Sequence, residues 1–259
     1  MANKSVRSFN LPSKGLLYDG AIPDGLVKCH LWDTDIEEIF SSGYGSAASL
    51  ITEVLNRCLF ELPFDSRNLL IGDRYYAFMR LRAESYGSSY TFPFKCTNCN
   101  FKFKKTIDLL EDLETITLPD DAKEPFNVFL EDLGKTVQFR LLRGYDEEDI
   151  DNYLEKFYQK KVEFGSKHKA QESNRKKKRN PLYKRRLAKH IVGVEGVEYD
   201  FDQSLELIQE MTGFDSMTFK RAINNIEPRL DINLTIECPR CEFDNETVLP
   251  FTQDLISPR

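Results

Sequence analysis

The sequence predicts an α+β protein made of two related strand-helix-hairpin units, an internal duplication, joined by a four-cysteine, zinc-ribbon-like site. Three observations predict it. Two CxxC pairs, Cys96 and Cys99 in FPFKCTNCNFKF and Cys238 and Cys241 in IECPRCEF, each lie in a stretch that alternates apolar and polar residues. Alternation is the strand period, so each pair occupies the turn of a hairpin. Shifting the first segment by 142 positions then places Asp73 on Asp215, Leu81 on Ile223, Phe92 on Leu234, Phe94 on Ile236 and Phe101 on Phe243. Upstream, VKCHLWDTDIEEIF from Val27 and VQFRLLRGYDEEDI from Val137 each give an alternating strand followed by an acidic helix start. The chain therefore divides into an N-terminal arm (1–24), a first unit (25–112) and a second unit (113–259). An insertion at about 158–189 enlarges the second unit.

The elements follow in order. The arm from Ser8 to Pro23 is rich in turn formers and too sparse in periodic apolar residues for a core element. Its Leu11, Pro12, Leu16, Leu17 and Tyr18 are candidate contacts for a partner or for the protein's own surface. In the strand from Val27, Cys29 shares a face with Val27 and Leu31 and reads as a core thiol. Thr34 and Glu37 fit a capping box. Ser46 caps a helix to about Leu59 whose inward stripe is Ile51, Val54, Leu55 and Cys58. Asp73 opens a helix that Gly87 ends, 23 residues before Cys96 there is that Asp73, and Asp215 stands 23 before Cys238. The acids from Asp146 to Asp149 read as a solvated helix start. After Asn180-Pro181 a helix turns Leu182, Leu187 and Ile191 inward and its bases to water.

Composition narrows the function. With 41% apolar and 30% charged residues over 259, the chain can bury one large core or two moderate ones. Its apolar runs are far short of the roughly 18 residues that span a bilayer. The opening MANKSVRSFNLPSKG lacks a signal-peptide core, so a reducing cytoplasm is expected, where six cysteines serve as thiols or metal ligands. The net charge of −6 hides an asymmetry: eleven bases and one acid lie between Lys167 and Lys189, including Arg175, Lys176, Lys177, Lys178 and Arg179. Removing them from the 36 bases and 42 acids leaves 25 against 41. A basic arm thus projects from an acidic body, either as a solvated loop or as a contact for an acidic partner.

Spacing alone does not separate a redox couple, half a metal site and two core thiols. The flanking strands disfavour a redox pair, which would open a helix. Two CxxC turns brought together supply four soft thiolates, the donor set that zinc takes tetrahedrally, and leave no position for water. Such a zinc is structural, one per chain. The 138 residues between Cys99 and Cys238 far exceed the roughly 15 to 20 of a continuous ribbon, so free thiols or local disulfides stay open. His30, His168 and His190 are scattered, GYGS at Gly43 to Ser46 lacks the spacing of a phosphate loop, and there is no HExxH or GxSxG. No enzyme is expected.

SFNLPSKGLLYDG, RAESYGSSYTFPFKCTNC, NPLYKRRLAKHIVGVEG and INLTIECPRC, in that order, resemble the baseplate hub assembly proteins of T-even-type contractile-tailed bacteriophages. LPSKG followed by Tyr18 is the most distinctive piece. The resemblance implies a non-enzymatic late protein, a chaperone or hub subunit, that contacts other hub proteins in the host cytoplasm or in the virion tail. The insertion is the variable part, so its basic run carries no family role. The rival reading is a zinc-stabilised nucleic-acid-binding factor using residues 167–189. Tyr183 is the only aromatic there to stack on bases, and the acidic remainder repels a polyanion.

Overall fold

Most alternating stretches become strands and most 3.6-period stretches become helices, but Ile191, expected on the inward face of the helix after Pro181, opens a strand instead. A computed structural model describes residues 6–41, 46–165, 182–250 and 255, and no side chains within 157–165. In order come β1 (Val6–Asn10), β2 (Leu26–His30), α1 (Thr34–Ser41), α2 (Ala47–Cys58), β3 (Leu59–Phe60) and α3 (Ile71–Tyr86). Then follow β4 (Ser89–Lys95), β5 (Lys102–Asp108), β6 (Thr115–Ile116), β7 (Phe126–Leu130), β8 (Lys135–Phe139) and α4 (Gly144–Gly165). The rest are α5 (Leu182–His190), β9 (Ile191–Val194), β10 (Val197–Glu198), α6 (Phe201–Glu210), α7 (Gly213–Ile226), β11 (Arg229–Leu230), β12 (Asn233–Glu237) and β13 (Asp244–Val248). The basic run 175–179 and most of the GYGS segment lie outside the described residues.

Compactness divides this mixed α and β chain differently from the linear halves. One unit gathers Met1–Ser66, Gly72–Asp120 and Pro228–Arg259; the other holds Arg67–Ile71 and Asp121–Glu227. Both cysteine hairpins therefore belong to the first unit.

In the first unit β1, β2 and β3 form an antiparallel sheet in which Phe9 faces Val27. Ser46 caps α2 as its sequence requires, accepting the Ser49 N–H at 3.2 Å, and the expected stripe of Ile51, Val54, Leu55 and Cys58 is buried. At α1 the cap sits one residue early. Asp33, not Thr34, accepts the Ile36 N–H on its carboxylate, at 3.3 Å. Beyond α3, the hairpins β4-β5 and β12-β13 bury Tyr90, Phe92, Ile107 and Ile236 with Met79, Ala83 and Leu249. A short β6-β11 pairing, Ile116 opposite Arg229, ties the two stretches of chain together.

The arm is a correction. It is a core element of this unit: β1 pairs with β2 along its whole length, and Leu11, Pro12, Ser13 and Tyr18 are buried. Hydrogen bonds do what apolar periodicity does not. The Leu11 N–H donates to Gly25 O at 2.8 Å, and Pro12 O accepts the Leu118 N–H at 3.1 Å. The Ser13 N–H and the Tyr18 hydroxyl donate to the buried Asp73 carboxylate at 3.0 and 2.6 Å. Gly15 turns the chain at φ 75°, where an added Cβ would stand 1.9 Å from Ile22 O. LPSKG and its tyrosine thus lock a hairpin loop onto the first turn of α3. Of the five arm residues singled out for contact, Leu16 is exposed and Leu17 half-buried.

The second unit carries a four-stranded antiparallel sheet in the order β10-β9-β8-β7. Phe139 and Phe219 meet edge to face at 5.5 Å in its core. Asp215, in the first turn of α7, accepts the Asp132 and Leu133 N–H groups of the β7-β8 turn at 3.2 and 3.1 Å. Two sequence expectations change here. Asp146 is buried, not solvated, because Arg140 clamps it with two bonds of 2.7 and 2.8 Å. The bases of α5 do not all face water: the Arg185 guanidinium lies 4.1 Å from the Tyr153 ring centroid and 4.4 Å from that of Phe201. Lys189 reaches Asp149 at 2.6 Å.

Candidate metal centre

Each CxxC pair sits in a tight turn whose backbone is the same at both sites. The Cys96 N–H donates to Phe101 O at 2.9 Å and the Asn100 N–H to Cys96 O at 3.1 Å. In the second turn, the Cys238 N–H donates to Phe243 O at 3.0 Å and the Glu242 N–H to Cys238 O at 2.9 Å. Asn100 and Glu242, each just after the second cysteine, take positive φ values of 59° and 55°. That left-handed step helps close each turn.

The turns present four sulfurs to one point, all within 4.8 Å of one another. Cys96 Sγ is 3.8 Å from Cys241 Sγ, and Cys99 Sγ is 3.7 Å from Cys238 Sγ. A tetrahedral ion with metal–sulfur bonds of ~2.3 Å holds its ligands ~3.8 Å apart, so the donor set and its spacing fit such an ion. Cys96 and Cys238 are buried and Cys99 and Cys241 half-buried. The four cysteines could therefore hold a metal ion through thiolates alone. Cys29 and Cys58, expected to be core thiols, are buried elsewhere in the unit.

The thiols are electrostatically unequal. Burial raises Cys96, but the backbone N–H groups of Cys99 and Asn98 and the thiols of Cys238 and Cys241 outweigh it and bring it down to about 6. Cys99 is favoured by the Phe101 backbone, yet burial and the three neighbouring thiols carry it up to about 11. Four sulfurs this close cannot all ionise without a cation among them, which is the condition that a metal relieves.

Residues that spacing did not single out hold the turns together. Asn245 is buried and makes four bonds: its Oδ1 accepts from the Thr97 N–H and hydroxyl, both at 2.8 Å. Its Nδ2 donates to Ile236 O at 3.0 Å and Phe243 O at 2.9 Å. It thereby fastens the first cysteine turn to the second hairpin. Arg240, between Cys238 and Cys241, lies 5.8 Å over the Phe101 ring of the other turn. An asparagine inside an alternating strand was the available signal for the first, since it breaks the apolar phase at a position that must be buried.

A mixed α and β protein with a closed four-thiol site is the class that these features define. A family model described as T4 bacteriophage base plate protein matches residues 41–256, and the chain belongs to that family. No curated protein and no solved structure matches it. Among the described residues no helix is long and apolar enough to cross a membrane.

Proposed function

We propose that the chain is a non-enzymatic component of hub assembly in the phage tail baseplate, either a chaperone or a hub subunit, stabilised by one structural zinc. Membership of the baseplate family supports a structural role among other baseplate proteins. The observation that carries the zinc reading is the four-sulfur cluster, all within 4.8 Å of one another, with two S–S distances of 3.7 and 3.8 Å that match the edge of a tetrahedral thiolate set. Cys96, Cys99, Cys238 and Cys241 fill every ligand position, so the ion ties hairpins together and activates no water.

The duplication belongs to the same reading. In both units an aspartate in the first turn of a helix accepts from an earlier hairpin loop: Asp73 from the Ser13 N–H and the Tyr18 hydroxyl, Asp215 from the Asp132 and Leu133 N–H groups. The two cysteine turns share their bonds and their left-handed residue. A copied strand-helix-hairpin unit accounts for both likenesses. Leu16 and Leu17 in the arm, with the basic run 175–179, are the proposed contacts for hub partners.

The test is recovery of a tagged chain from infected cells, compared with purified virions. Hub proteins should co-purify with it. Presence in virions makes it a subunit; absence from them makes it an assembly factor. Recovery without any baseplate protein would sink the proposal, as would DNA binding that is steeply salt-dependent and lost when 175–179 are neutralised.

A further inference from the structure

Each cysteine hairpin turns one face to the core and leaves the other bare. On β4-β5 the inward cross-strand pairs include Tyr90 with Ile107 and Phe94 with Phe103, so Pro93 with Lys104 and Lys95 with Lys102 point outward. On β12-β13 Ile236 opposite Asn245 is inward, so Thr235 with Glu246 and Glu237 with Asp244 point outward. The outward strand face at the cysteine end of one hairpin thus bears three exposed lysines, and that of the other three exposed acids.

Neither strip helps its own hairpin. Lys95 stands directly opposite Lys102, and Glu237 directly opposite Asp244. Like charges so placed destabilise an antiparallel pair. Among the described residues none of the six has an ion pair. Both strips lie in one compact unit, equal in number and opposite in sign.

We propose that these outward faces are a self-association surface whose occupant is a second copy of this chain. A twofold arrangement lays the lysine strip of each copy on the acidic strip of the other, so both strips are satisfied at once. A partner of one sign, nucleic acid included, satisfies one strip and is repelled by the other. The inference goes beyond the hub reading and does not depend on it.

Light scattering on the eluting full chain tests it. At low salt the wild type should run at twice the 30.1 kDa chain mass and return to that mass as salt rises. Lys102→Glu/Lys104→Glu and Asp244→Lys/Glu246→Lys should each be monomers. The first makes its lysine strip mostly acidic and the second makes its acidic strip mostly basic. Their equimolar mixture should recover the doubled mass, because every contact between the two variants is again of opposite sign. That recovery separates a broken interface from a broken fold. A wild type at 30.1 kDa at all salt concentrations, a charge-reversed variant that still pairs, or a mixture that stays monomeric would overturn the proposal.

Discussion

Replacing Cys99 by serine removes one of four sulfurs from a site that bridges 139 positions of chain, measured from Cys99 to Cys238. A cross-link closing a loop of that length lowers the entropy of the unfolded chain by an amount worth about 5 kcal/mol. That figure is a ceiling, because β6-β11 pairing and the Thr97–Asn245 bonds also hold the hairpins together and survive the change. For a chain of this size each kcal/mol moves the melting point by roughly 2–4 °C, so the loss should reach about 10–20 °C at most. The assay is thermal unfolding with metal analysis on the same samples. Wild type should carry close to one zinc per chain, and Cys96→Ser, Cys99→Ser, Cys238→Ser and Cys241→Ser should each lose it and melt lower by similar amounts. Cys58→Ser, at a buried position away from the site, should melt lower with its metal intact. Full metal content and an unchanged melting point in a Cys96→Ser/Cys238→Ser variant would refute the shared site.

Asn245→Leu should cost roughly 1–3 kcal/mol, because Thr97 and two carbonyls lose a buried partner, and it should release metal to a chelator sooner. Equal chelator kinetics and equal melting would contradict its role between the turns. Gly72→Ala would put a Cβ 1.6 Å from Pro228 O, which forces a backbone to move and should cost at least about 2 kcal/mol in denaturant unfolding. His190 is held neutral: burial lowers it to about 4, against the hydrogen bond its Nδ1–H donates to Arg140 O. The unfolded chain takes up that proton first as pH falls below about 6.5, so stability present at neutral pH should be lost between there and pH 4. The loss is about 3 kcal/mol. His190→Gln should flatten that slope; an unaltered slope would assign it to other groups.

Much of the four-cysteine cluster was legible because its signal is local twice over: two CxxC turns, each framed by alternating residues. Their meeting was not legible from spacing, since 138 intervening residues say nothing about where the chain returns. The offset echo made their meeting an expectation. Helix faces such as Ile51, Val54, Leu55 and Cys58 were readable from period alone. The arm was misread for a physical reason: its order comes from the Ser13 N–H and the Tyr18 hydroxyl meeting Asp73, and a carboxylate 55 to 60 positions away leaves no periodic trace. Asp146 was misread in the same way, because its partner Arg140 precedes the helix and looked like any strand residue. Both cases show buried acids paired with backbone or arginine, a pattern composition cannot separate from a solvated cap.

The return of Pro228–Arg259 to the first unit fixes an order of events during synthesis. Cys96 and Cys99 leave the ribosome long before their counterparts, and until Cys241 follows the four-sulfur set is incomplete. A chain halted between Asp121 and Glu227 carries only those two sulfurs of the four. Under the zinc reading, metal occupancy reports translation past Cys241, because two sulfurs supply only half of a tetrahedral set.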